Sequence, residues 1–241
     1  MTAEELEYPR IVSRAEWLEE RKRLLAKEKE FTRLGDQLSA EKRHLPWVKI
    51  EKSYLFDSPT GQQSLADLFA GKKQLIVYHF MFGPDWEEGC PTCSMVADNL
   101  DPNVIHLAHR DVTLVVVSRA PIAKLLEFKK RMGWRFHWVS SFGNDFNRDY
   151  GVSLTNEEML SGSYYNYGTS RFPSNEAGGL SVFYKDNHGA IFHTYSCYAR
   201  GGEFLIAPYA FLDLAPKGRD EENLPFTMAW VRHHDRYNEV E

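Results

Sequence analysis

The sequence predicts a three-layer α/β domain built on a mixed central sheet, and three observations carry that expectation. Leu75 to Phe82 (Leu-Ile-Val-Tyr-His-Phe-Met-Phe) and Val112 to Val117 (Val-Thr-Leu-Val-Val-Val) are apolar at nearly every position. Such runs belong to central strands buried on both faces, with helices above and below. Helical patterns follow each run: Met95, Val96 and Leu100 after the first, and Ile122, Leu125, Leu126 and Phe128 within Pro121 to Met132 after the second. Near the end, Leu180 to Lys185 alternates as a strand, Asp186-Asn-His-Gly189 reads as a hairpin turn, and Ala190 to Ser196 returns. Alternating strands and helices closed by a hairpin point to a mixed sheet.

The other elements follow in chain order. Ser13 with Glu16 fits a capping box, in which each side chain serves a free backbone donor at a helix start. Trp17, Leu24, Phe31 and Leu38 then recur every seven residues, with Leu18, Leu25 and Leu34 beside them. This is one apolar stripe on a charged helix, packed on its own domain or on a second copy as a homodimer contact. Gly35 is expected to end the first part of it. Residues 1–45 are read as an N-terminal helical extension and 46–241 as the main domain. Tyr54 to Phe56 suggests a strand, Ser58-Pro-Thr-Gly61 a turn, and Ser64 the start of a short helix with Leu65, Leu68 and Phe69. Phe136 to Val139 is a short strand. Residues 143–179, rich in Gly, Asn, Ser and Tyr, read as a long insertion with helix around Asn156 to Leu160. Gly201 to Leu214 is expected to be a last helix.

Composition narrows the function classes. Of 241 residues, 43% are hydrophobic and 26% charged, an ordinary globular balance. The 29 basic against 34 acidic residues give a net charge of −5, which argues against nucleic-acid binding. No apolar run approaches the roughly 20 residues of a membrane helix. The acidic Met1 to Arg10 lacks the apolar core of a secretory signal. The expectation is a soluble, cytoplasmic protein without a membrane partner. Three cysteines are too few for a disulfide framework.

The most specific feature is Cys90-Pro-Thr-Cys93, behind the loop Gly83-Pro-Asp-Trp-Glu-Glu-Gly89. Pro91 suits the first helical position, where its missing N–H costs nothing. Cys90 is then at the N-cap, where free N–H groups and the helix dipole favour thiolate. Cys93 lies one turn further in, close enough to close a disulfide ring. This is the order dithiol exchange needs: an exposed sulfur attacks and a shielded one resolves. The acidic Asp85, Glu87 and Glu88 argue the other way, since negative charge raises a thiol pKa. Structural thiols and a metal site are the alternatives. His106 and His109 give the latter near-zinc-finger spacing, one residue too close, so neither a metal nor another cofactor is expected.

Several blocks together resemble the family called domain of unknown function 899. They are Tyr78-His-Phe-Met-Phe-Gly-Pro-Asp-Trp-Glu-Glu-Gly-Cys-Pro-Thr-Cys93, Val117-Ser-Arg-Ala-Pro121, Phe192-His-Thr-Tyr195, Tyr198-Ala-Arg-Gly201, Pro216-Lys-Gly-Arg-Asp220 and His234-Asp-Arg-Tyr237. The resemblance spans nearly the whole chain. It implies a thioredoxin-like fold and a thiol–disulfide oxidoreductase acting on a thiol or disulfide partner not identified by the sequence. Cys90 is then the attacking and Cys93 the resolving residue. Thioredoxins place a cis-proline before the strand facing the dithiol; Glu176-Ala-Gly-Gly179 stands there in this chain, and Gly179 permits close approach of a substrate backbone.

The remaining candidates are weaker. Trp86 and Pro84 flank the dithiol as substrate-facing groups. Arg119, at a strand end, is an anion binder or a surface ion pair. His79, inside a buried run, is a core histidine or a proton acceptor near the dithiol. Cys197 is a spare buried thiol or a third redox partner. The tail at His233, His234, Asp235 and Tyr237 folds back on the site or is solvated. A peroxiredoxin-like peroxidase and a non-catalytic binding module remain open as alternatives to the oxidoreductase.

Overall fold

The computed structural model describes residues 9–161, 165–168 and 171–237. The chain divides into two compact units, residues 1–46 and 47–241.

The first unit is one helix, α1 (Arg14–Arg43). Its start is the expected capping box. The Glu16 N–H donates to Ser13 Oγ at 3.2 Å, and the Glu16 carboxylate accepts the Ser13 N–H at 3.1 Å. The helix runs through Gly35 to Arg43, so the expected break is absent. A single glycine costs a helix only about 1 kcal/mol, less than the capped ends and long flanks supply. No residue of α1 is buried.

The second unit contains β1 (Val48–Lys49), β2 (Leu55–Ser58), β3 (Gly61–Ser64), β4 (Gln74–His79), α2 (Pro91–Leu100), α3 (Asn103–Ala108), β5 (Val112–Ser118), α4 (Ile122–Arg131), β6 (His137–Ser140), α5 (Phe146–Asp149), α6 (Asn156–Ser161), β7 (Gly179–Lys185), β8 (Ile191–Tyr198) and α7 (Ala207–Leu212). Among the described residues the strands form one sheet, ordered β1-β8-β7-β4-β5-β6-β2-β3. Strands β4, β5 and β6 are parallel; on the other side of β4, β7 pairs antiparallel to it and β8 antiparallel to β7. This mixed sheet, with the dithiol helix following its central strand, is a thioredoxin-like arrangement.

Period-two alternation splits the central strands between two cores. Tyr78, Leu114 and Val116 face α2, α3 and α4, with Phe80, Phe82, Phe128, Trp134 and Trp138. Leu75, Val77, Val115 and Val117 face the other way, onto Phe56, Leu68, Phe69, Phe146, Tyr150 and Phe183. Phe146 and Tyr150 come from α5 and the residue after it, so part of the expected insertion is core.

Two further expectations change. The expected turn at Ser58–Gly61 joins β2 to a strand that was not expected, Gly61–Ser64, which pairs with β2. Ser64 leads into a short turn of 3-10 helix at Asp67–Phe69; its N–H donates to Asp67 Oδ2 at 2.8 Å and the Asp67 N–H donates to Ser64 Oγ at 3.3 Å. The single helix expected over 201–214 is two pieces, a 3-10 stretch at Ala199–Leu205 and α7. Pro208 lacks the N–H that a continuous helix would need and so sits in the first turn of a new one. Among the described residues no helix is long and apolar enough to cross a membrane.

Candidate functional site

After β4 the chain stays extended through Phe80, Met81 and Phe82. The Phe80 N–H donates to Val117 O at 2.9 Å, and Phe82 O accepts from the Ala120 N–H at 2.8 Å. The loop Gly83 to Gly89 then delivers Cys90 to the N-cap of α2, with Pro91 in its first turn. The Cys90 N–H donates to Met81 O at 3.0 Å. All three cysteines are free thiols.

The two thiols of the pair are unlike. Cys90 is partly exposed and Cys93 is 4% exposed. The neighbouring Cys93 thiol favours the Cys90 thiolate most, and the backbone N–H groups of Thr92 and Cys93 and the Thr92 side chain add to this. Together they outweigh burial and bring the Cys90 pKa down to about 7. The adjacent Cys90 and burial push Cys93 far above the ordinary thiol range. The Tyr78 hydroxyl also reaches Cys93, from the face of β4 that packs on α2.

The acidic loop does not have the expected effect on Cys90. Glu88 accepts from Arg131 Nη1 at 2.6 Å and from Arg236 Nη1 at 2.8 Å, and these guanidiniums hold its carboxyl below the usual range despite partial burial. Lys124 Nζ donates to the carbonyls of Pro84 at 2.9 Å and Trp86 at 3.1 Å. The loop is therefore tied to α4 by cations.

A second charged group lies beside the loop. Glu176 is 1% exposed. It accepts from Arg119 Nη1 at 2.9 Å and from Ser153 Oγ at 3.2 Å. A Cβ at Gly83 would stand 3.0 Å from Trp86 Nε1 and 3.3 Å from Glu176 Cγ, so Trp86 and Glu176 flank the loop start. Burial pushes the Glu176 carboxyl up to about 7, against the opposing pull of Arg119. In the unfolded chain a glutamate titrates near the ordinary value of about 4.3. The folded state therefore keeps its proton to higher pH, and stability falls as pH rises from about 4.3 toward 7. Relative to Glu176→Gln, the natural protein is expected to lose on the order of 3–4 kcal/mol between pH 4 and pH 8. Thermal unfolding of both proteins across that range measures this; parallel curves would refute it.

Residues 6–237 match a family described as "Bacterial protein of unknown function (DUF899)". The chain belongs to this family. No curated protein matches it. Among solved structures, this DUF899 protein is similar to peroxidoxin BcpB from Mycobacterium tuberculosis, at 11% identity and a TM-score of 0.46, with 68% of this chain and 94% of that one covered. It is also similar to peroxiredoxin Q from Xanthomonas campestris, at 13% identity and 0.42, covering 67% and 90%. A third is a putative thiol:disulfide interchange protein DsbE from Chlorobium tepidum, at 13% identity and 0.39, covering 71% and 99%.

Within the DUF899 chain, the candidates read from sequence are only partly brought together. Cys90, Cys93, Pro84 and Trp86 share the α2 end of the sheet, and Arg119 reaches it through Glu176. His79 does not. It points to the opposite sheet face, stacks on Tyr150 at 5.9 Å and binds Ser181 Oγ at 2.8 Å, so it is a core histidine. Burial lowers its pKa to about 3. Gly179 is not the glycine beside the dithiol. A Cβ there would meet the Tyr198 ring at 2.6 Å, whereas one at Gly178 would lie 3.8 Å from Cys93 Sγ. Cys197 is buried in β8, paired with Leu180. Sequence reasoning missed Tyr78, Glu176 and Gly178. For Tyr78 the signal was present, because alternation along β4 puts one of Tyr78 and His79 on the dithiol face. Glu176 carried no signal, since a glutamate in an irregular segment reads as solvated.

Proposed function

We propose that this protein is a dithiol–disulfide oxidoreductase in which Cys90 attacks and Cys93 resolves. The asymmetry of the two thiols carries this reading: a partly exposed sulfur served by donors at a helix N-terminus, next to a buried one. The Cys90 thiolate attacks one sulfur of a substrate disulfide, and that S–S bond breaks. The departing thiolate takes the Cys93 proton. Cys93 then attacks Cys90 Sγ, expels the second substrate thiolate and closes the Cys90–Cys93 disulfide. The substrate gains two electrons, and an external thiol reductant must return them.

A peroxidase would also need donors aimed at the departing oxygen. Arg119, a cation at this end of the sheet, is engaged by Glu176. Stopped-flow oxidation of the fully reduced protein is expected to be faster with a small disulfide than with hydrogen peroxide at equal concentration. The reverse order would replace this reading with a peroxidase. A dithiol inert to both would leave a binding module.

A further inference from the structure

The C-terminal segment returns to the dithiol loop. His233 is 4% exposed, and its Nε2 lies 2.8 Å from Gly89 O. A carbonyl oxygen only accepts, so Nε2 carries the proton. Its Nδ1 lies 3.3 Å from Arg131 Nη2, which only donates. The Gly89–Cys90 peptide is therefore gripped at both ends, its carbonyl by His233 and its N–H by Met81 O. The ring of Phe128 touches both His233 and the Gly89 backbone region. It meets His233 edge-on at 5.2 Å, and a Cβ at Gly89 would lie 2.9 Å from it.

The rest of the segment is anchored to the same elements. Asp235 accepts from Arg131 Nε at 2.8 Å and Nη2 at 2.9 Å. His234 Nδ1 lies 2.8 Å from Asp98 of α2. Arg236 binds Glu88, two residues before Cys90.

We propose that this segment is part of the thiol machinery: His233 is a positioning residue that fixes the Gly89–Cys90 peptide, and Arg236 with Arg131 shields Cys90 from the charge of Glu88. The proposal deepens the oxidoreductase reading and itself rests only on Cys90 being the reactive thiol of the pair. Without the His233 hydrogen bond the peptide can rotate, and Cys90 Sγ drifts from the Thr92 and Cys93 donors that hold its thiolate. Without Arg236, Arg131 alone is left to compensate Glu88.

The test is the rate of iodoacetamide alkylation at Cys90 against pH, located by mass spectrometry, in full-length variants checked for folding by circular dichroism. His233→Leu is expected to slow alkylation near pH 7 by about three- to tenfold and move its midpoint to higher pH. Glutamine places an N–H near the position of Nε2, so His233→Gln is expected to recover most of the rate. Equal rates in all three proteins, or equal loss in both variants, would overturn the assignment. If His233→Leu does not fold, Arg236→Gln decides. Its side chain is 41% exposed, so folding is not at stake. An alkylation profile unchanged by Arg236→Gln then sinks the proposal, and one moved to higher pH supports it. Alkylation requires no disulfide substrate. A chain that exchanges no disulfide but whose Cys90 responds to the tail would retire the oxidoreductase reading and keep this one.

Discussion

Cys90→Ser is expected to lower disulfide exchange by at least about a thousandfold, because a serine hydroxyl at neutral pH is neither ionised nor able to form the mixed disulfide. Cys93→Ser has a different expected outcome. The attacking thiolate stays at the N-cap of α2 with the Thr92 and residue-93 N–H groups, so the first step proceeds. Resolution fails, and the protein accumulates as a mixed disulfide with its substrate. Intact mass of Cys93→Ser after incubation with an oxidised thiol, before and after reduction, measures the adduct. A Cys93→Ser protein that turns over at the natural rate, or a Cys90→Ser protein that forms the adduct, would reverse the assignment. Cys93→Ser, used in an extract, is expected to hold a disulfide partner covalently if the proposed exchange takes place.

Gly89→Ala is expected to be the most damaging single-methyl change near the dithiol. The added Cβ would lie 2.6 Å from Phe80 Cε1 and 2.9 Å from Phe128 Cε1. Neither ring has room to retreat. Phe80 packs on Trp138 at 4.8 Å and Trp134 at 5.9 Å, and Phe128 packs on Phe82 at 5.5 Å and His233 at 5.2 Å. Relief must come from the backbone, which here carries Cys90 and the carbonyl held by His233. Overpacking of this kind costs about 1–3 kcal/mol. Denaturant unfolding measures that loss, and alkylation at Cys90 reads the displacement of the thiol. Stability and Cys90 reactivity both equal to those of the natural protein would contradict the packing described for this loop.

The sequence by itself determined the features whose cause is local. The runs of β4 and β5 are apolar at successive positions because both faces are buried, and no distant residue is needed to see it. Ser13 and Glu16 fix a helix start within one turn, and Asp186 with Gly189 fixes the hairpin. Pro91 and the spacing of Cys90 and Cys93 place the pair at a helix N-terminus, so the greater exposure of Cys90 and the burial of Cys93 were also legible.

Tertiary structure alone decided what depends on partners far along the chain. Gly61–Ser64 is polar and becomes a strand because β2 supplies its hydrogen bonds. Glu88 is visibly negative beside Cys90, yet its neutralising partners lie 43 and 148 residues away. Glu176 becomes a buried acid only because Arg119 and Ser153 are folded onto it. The glycine beside Cys93 is Gly178 rather than Gly179, and His79 rather than Tyr78 turns away from the dithiol, because one residue of register exchanges the two faces of a strand. Alternation tells a reader that faces differ; only the packed layers tell which face the dithiol occupies.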